Sequence, residues 1–260
     1  VWTLAAHDLR RRLRSIVIWG VALGALGALY VALFPTMGGL LEEYMAQMPE
    51  EMQQFMDPTS GKLTVEEWLE MEMFNGIIPI ALPFFLMIIG ARSIAGREER
   101  KTMDLLLSNP VPRWRVVAAA LLTMALALAA VLLITWVLTY LAVPFSGVDL
   151  PPSRLAAGLL SLWPFCLFFG AFALLLSAFV RRGALAIAVP GVLLVAMYVL
   201  DALGQVSSAV EPLRVLSLQN HFAGSLSGDF PGLAFGLTLA GVCVLAAAGT
   251  VFFGRRDIYT

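Results

Sequence analysis

Apolar positions in this chain gather into six long runs separated by shorter polar stretches. The runs cover about Ser15 to Phe34, Ile77 to Ala95, Val116 to Val143, Leu155 to Val180, Ala184 to Leu203 and Gly232 to Phe253. Each is roughly 20 residues or longer, the length a helix needs to cross a hydrocarbon core of about 30 Å. The third is long enough to tilt or to project beyond the bilayer. Pro164 in the fourth run and Pro190-Gly191 in the fifth are candidate bends, while Pro79 and Pro83 stand near the start of the second, where proline costs least. The pattern predicts an all-α integral membrane protein with six transmembrane helices, residues 1–260 forming one transmembrane domain without a soluble domain.

The polar stretches have patterns of their own. Trp2, Ala6, Leu9, Leu13 and Ile16 recur at helical spacing, with Arg10, Arg11 and Arg14 largely off that stripe and Arg12 near its edge. Residues 1–14 therefore read as an N-terminal interfacial amphipathic helix with its arginines toward anionic headgroups, or simply as a topology anchor. Within the first run, Gly20, Gly24 and Ala28 form a small-residue stripe that lets another helix approach closely, in a dimer or within the chain.

Residues 35–76 hold half of the acidic residues. There Leu41, Met45, Met48, Met52 and Phe55 form a stripe, with Glu42, Glu43, Glu50 and Glu51 largely away from it. Pro49 opens a second short helix, and Thr64 with Glu67 makes a capping box ahead of Trp68 and Leu69. These are short helices at a membrane surface. Their carboxylates read as a solvated face, the other reading being attraction of a cation or a basic substrate. Residues 204–231 form a mixed loop whose VEPLRVLSLQNHF core dips back into the interface.

Composition agrees with a membrane protein. The chain is 60% hydrophobic and 13% charged, with mean hydropathy +0.85, whereas soluble domains run about 45–50% apolar and about 25% charged. Cys166 and Cys243 lie inside apolar runs without metal or disulfide spacing and read as small hydrophobes. The basic start precedes an apolar run too long for the core of a signal peptide, so no cleavable signal is expected. With six spans, one side holds 14 of the 17 Lys and Arg residues, only Lys62, Arg154 and Arg214 falling opposite. The positive-inside rule then places both termini and the second-to-third connection in the cytoplasm and the acidic loop outside.

Several chemistries are disfavoured. Arg92 and Asp201 sit near run ends, and no Asp, Glu, Lys or His lies in the middle of a run. Ion-coupled carriers and proton relays keep such groups deep in the bundle. His7 and His221 are isolated, which counts against an intramembrane metalloprotease and leaves a serine nucleophile without a base. Gly61-Lys62 is followed by Leu63 and lacks the upstream glycine of a phosphate-cradling loop. Transport driven by ATP would need the ATPase on another polypeptide.

The stretch Gly96 to Arg115, GREERKTMDLLLSNPVPRWR, lies between two spans and is densely charged. Glu98, Glu99, Arg100, Lys101 and Asp104 accompany the apolar cluster Met103, Leu105, Leu106 and Leu107, and Asn109-Pro110 with Pro112 ends that short helix. A charged, half-apolar helix hung between spans reads as a surface for a soluble partner. The plainer reading is a charged loop whose leucines rest on the membrane.

GREERKTMDLLLSNPVPRWRVV resembles the type-2 permease subunits of ATP-binding cassette (ABC) exporters: an acidic pair, a threonine, a leucine cluster, then a proline and a basic residue opening the third span. The C-terminal FFGRRDI and the six-span layout resemble the same family, so the likeness covers essentially the whole chain. Lys101 departs from the glycine frequent before the threonine, and the acidic outer loop is longer than in many members.

The resemblance implies that Glu98 to Ser108 docks on an ABC ATPase subunit. Glu98, Glu99, Arg100, Lys101 and Asp104 would set register by charge complementarity, Met103, Leu106 and Leu107 would enter a groove, and Thr102 belongs to the same docking set. It further implies two ATPase copies, a second permease chain, identical or related, and a prokaryotic cell membrane. ATP and Mg²⁺ would be held by the partner, with no cofactor on this chain and no nucleic acid partner. The expected cargo is amphiphilic or lipid-like. The alternatives are a regulatory or structural membrane protein whose cytoplasmic helix binds a signalling partner without moving cargo, and an integral membrane enzyme.

Overall fold

The computed structural model describes residues 1–46, 64–99, 112–180, 182–207 and 209–255, and helix is the only regular structure among them. Six helices are long and apolar enough to cross a bilayer: Trp2–Ala46, Val65–Ser93, Arg113–Ser146, Pro152–Phe179, Gly183–Val206 and Gly232–Arg255, the first to sixth spans. Contacts at the two ends fix their alternation. Asp8 pairs with Arg97, and Arg113 reaches Gly254, at one end. At the other, the Trp68 indole donates to the carbonyl of Tyr30, and that of Trp136 to Pro152. The start of the first helix and the end of the sixth therefore lie at the same, basic end of the bundle.

Several boundaries differ from those the hydropathy implied. The amphipathic stretch 1–14 and the first span are one continuous helix of 45 residues. At about 1.5 Å per residue it is about 68 Å long, well beyond the roughly 30 Å needed to cross. It also passes Pro35, the expected start of the polar loop. Proline there removes one intrahelical donor, a loss that membrane helices accommodate locally. The side chains of 41–46 and residues 47–63, with the expected methionine stripe, its carboxylates and the helix at Pro49, lie outside the described residues.

The second span begins at Val65, a full three turns before the apolar run at Ile77. Thr64 and Glu67 form the expected reciprocal capping box, at 2.9 and 3.3 Å, and that cap sets the start. A π-helical segment follows, Glu70–Ile77, leading into the α-helix Ile78–Ser93. Pro79 has no N–H for the carbonyl of Asn75, four residues back. The Gln219 side-chain amide donates to that carbonyl at 3.4 Å. The third span likewise runs past Pro144 and stops at Gly147, whose φ of 67° closes the helix in the left-handed region that glycine adopts without strain. The fourth and fifth spans continue through Pro164 and Pro190.

The second and fourth spans form the centre and are the most buried. Their backbones nearly touch: a Cβ on Gly90 would run into the carbonyl oxygen of Gly170 and stand 3.1 Å from the Leu174 nitrogen. Where lipid is as apolar as leucine, such close packing supplies the attraction that water-driven burial does not. The first span lies along the third by the same device. The fifth and sixth spans are more peripheral and expose apolar faces. Cys166 is buried in the fourth span, whereas Cys243 is exposed on the sixth, so only the former is a core residue.

At the end opposite the termini, residues 209–231 fold over the bundle. Short 3-10 helices, Glu211–Leu216 and Gln219–His221, lead to Phe222 and Leu226, both buried. Phe222 meets Phe165 of the fourth span edge to face at 5.9 Å.

Candidate functional site

The second span ends at Ser93, and the short helix Ala95–Glu99 follows it after a break at Ile94, at the basic end. Ala95 and Gly96 are buried there. Of the expected docking residues, Glu98 and Glu99 stand on this short helix. Arg100, Lys101, Thr102, Met103, Asp104, Leu106 and Leu107 lie outside the described residues.

The roots of that stretch are fixed on both sides. On the leading side, Arg97 forms an ion pair with Asp8 of the first helix. Both side chains are largely covered, at 23% and 19% exposure, so solvent screens the pair less than it would a fully exposed one. Glu99 Oε1 accepts the backbone N–H of Gly183, the first residue of the fifth span, at 2.7 Å. On the trailing side, the Arg113 guanidinium donates to the carbonyls of Phe253 and Gly254 at 2.8 and 3.0 Å. It also lies 5.7 Å from the centre of the Phe253 ring. Those carbonyls belong to the last turn of the sixth span, where a cation meets the negative end of the helix dipole. The connection from the second to the third span is thus tied to the first, fifth and sixth.

The small-residue stripe faces inward. A Cβ on Gly20 would stand 2.8 Å from the Cβ of Ile134, and one on Gly24 2.7 Å from that of Leu138, both on the third span. Gly27 is buried against Thr139, while Ala28 is only half-buried, so the close packing follows Gly20, Gly24 and Gly27.

Asp8 and Gly183 went unremarked in the sequence. Asp8 had a signal, being the one acid among the arginines of residues 1–14. Gly183 had none, because a backbone amide takes its role from what lies opposite. Glu70 belongs to the acidic stretch 35–76, yet it is buried. Its two oxygens accept the backbone N–H groups of Gly224, Leu226 and Ser227 at 2.9, 2.8 and 3.2 Å. The capping box was the available clue, since a helix starting at Val65 puts Glu70 inside the span. Asp201, at the end of the fifth span, is buried and pairs with Arg214 at 3.0 Å. The 209–231 cap is thereby fastened to the second and fifth spans by carboxylates.

An open, almost wholly apolar groove of about 700 Å³ runs between Phe84 of the second span and Val192, Val195, Val199 and Leu203 of the fifth. No three His, Cys or carboxylate side chains converge among the described residues.

A bundle of six membrane-crossing helices, its basic-end connection braced to three neighbours, defines a multi-pass membrane protein. Residues 2–258 match the family model described as ABC-2 family transporter protein, and the chain belongs to that family. It is accordingly a permease subunit of an ABC transporter, and the family implies a partner ATPase subunit. No curated protein matches the chain.

Proposed function

We propose that this chain is the permease half of an ATP-driven exporter, working as two permease chains with two separate ATPase chains at the cytoplasmic, basic end. The ATPase docks on Glu98 to Ser108. Nucleotide binding draws the two ATPases together, and the docking stretch passes that motion to the spans, which rock between two packings. The bracing of its roots carries this reading: Glu99 touches the fifth span and Arg113 the sixth, so a push at the stretch is delivered to helices rather than absorbed by a slack loop. The distribution of Lys and Arg supports the cytoplasmic placement of this end.

The cargo path lies between the permeases, lined by the first, second and fifth spans. The groove between Phe84 and the fifth span supports an amphiphilic or lipid-like cargo, because its wall offers almost no polar partner. Purification of the tagged chain from its native membrane, with an ATPase assay on what accompanies it, tests the proposal. A cassette ATPase is expected to co-purify and to be lost on Leu106→Glu. A chain that emerges alone, or an ATPase unaffected by Leu106→Glu, would refute the docking assignment.

A further inference from the structure

Arg97 and Glu99 are two positions apart on the short helix, so their side chains leave its axis about 200° apart. Their partners differ accordingly. Arg97 holds Asp8, on the leading turns of the first helix. Glu99 holds the N–H of Gly183, where the fifth helix begins. The fifth helix has no side-chain cap of its own, since Arg182 occupies the N-cap position without making one. Its first N–H groups lack intrahelical partners, so a carboxylate from another element completes that end by hydrogen bond and by favourable charge. Both held helices present long apolar faces outside the chain's own core: Val17, Val21, Leu29 and Leu33 on the first, Val189 and Val192 on the fifth.

We infer that Arg97 and Glu99 are positioning residues that divide the motion of the docking stretch, Arg97 conveying it to the first span and Glu99 to the fifth. This rests on the transporter reading above. The division follows from geometry: Arg97 reaches the leading turns of the first helix and Glu99 the first turn of the fifth, both at the end where the ATPase docks. Loss of the Glu99 contact removes the polar hold of the short helix on the fifth span, while the Arg97–Asp8 pair still drives the first.

Gly183→Pro breaks the Glu99 contact without substituting any residue of the docking stretch; the proline ring, set where the amide hydrogen lay, turns the Glu99 carboxylate aside. Proline removes the N–H that Glu99 accepts, yet it suits the first helical position. Arg182, with φ −103° and ψ 115°, already has the extended backbone that precedes proline. Single cysteines at Val21→Cys and Val192→Cys, in a Cys243→Ala background, are labelled with a membrane-permeant maleimide. The complex with its ATPase is compared nucleotide-free and trapped with ATP and vanadate.

Without further substitutions, both probes should change labelling rate on trapping. Gly183→Pro should abolish the change at position 192 and preserve it at 21; Glu99→Ala should abolish it at 192, and adding Gly183→Pro to it should change nothing further there. Arg97→Ala should do the reverse. Glu99→Gln, which retains an acceptor oxygen, should restore part of the response at 192. A response that survives at 192 in Gly183→Pro, or is lost at both positions together, would overturn the division. Absence of any nucleotide response before Glu99 or Gly183 is touched would instead overturn the transporter reading on which it stands.

Discussion

Replacing Glu70 by alanine removes one acceptor group from three backbone donors. The carboxylate lies in the π-helical segment of the second span, 6% exposed, and holds Gly224, Leu226 and Ser227 of the cap. The Leu226 contact is buried, while the other two are partly buried. A buried N–H left without a partner costs about 1–3 kcal/mol, and the partly buried pair recover some of their loss by binding water. The total is about 3 kcal/mol, since hydrogen bonds to a charged group are the stronger kind. At about 1.4 kcal/mol per tenfold, opening of the 222–230 segment should become roughly a hundredfold more frequent. Hydrogen–deuterium exchange of the peptide spanning those residues measures this directly. Glu70→Gln keeps only one acceptor oxygen and turns an NH₂ toward the amides, so it should fall near alanine rather than midway. Glu72→Ala, two residues on and on another face, is the control and should leave exchange unchanged. Exchange in Glu70→Ala within about threefold of the parent protein would refute the assignment of Glu70 as the fastening, because it would correspond to less than about 1 kcal/mol.

Three further outcomes follow from the packing. Gly90→Ala drives a methyl group into the Gly170 backbone, which has no rotamer with which to yield, and should destabilise the bundle by at least about 1–3 kcal/mol, read as a lower thermal midpoint; Gly39→Ala, with open space around it, should not. Asp201→Ala strands Arg214, whose side chain is 26% exposed and thus partly rehydrated. The cost should be about 1–2 kcal/mol, seen as faster exchange across residues 209–216. N-ethylmaleimide should leave Cys166 unmodified in the native chain and add to it only after denaturation uncovers it; labelling of Cys166 at the same rate before and after denaturation would contradict its burial in the fourth span.

The six spans were legible because each must be apolar along its whole length, a requirement written residue by residue into the chain. Their ends were less so. Hydropathy placed the start of the second span at Ile77, whereas the helix starts at the Thr64 cap, and it ended the first at Phe34, whereas that helix continues to Ala46. A helix terminates where its backbone groups find other partners, not where the lipid does, and the capping box was the better guide of the two.

The likeness of the GREERKTMDLLLSNP stretch to type-2 permeases was legible too, and the family match over residues 2–258 agrees with it. The stripe of Gly20 and Gly24 announced a close helix contact without saying whose. Ile134 and Leu138 of the third span answer that, and only the packed chain supplies them.

The sequence by itself therefore determined the class, the number of spans and the charged connection between the second and third, because these depend on local composition. Tertiary structure alone decided that Asp8 meets Arg97, that Glu99 caps the fifth span and that Glu70 fastens the cap. Each of those contacts joins positions far apart in the chain, and two of the three are made to backbone amides. A backbone amide is the same at every residue but proline, so no side-chain pattern can advertise which one a carboxylate will find.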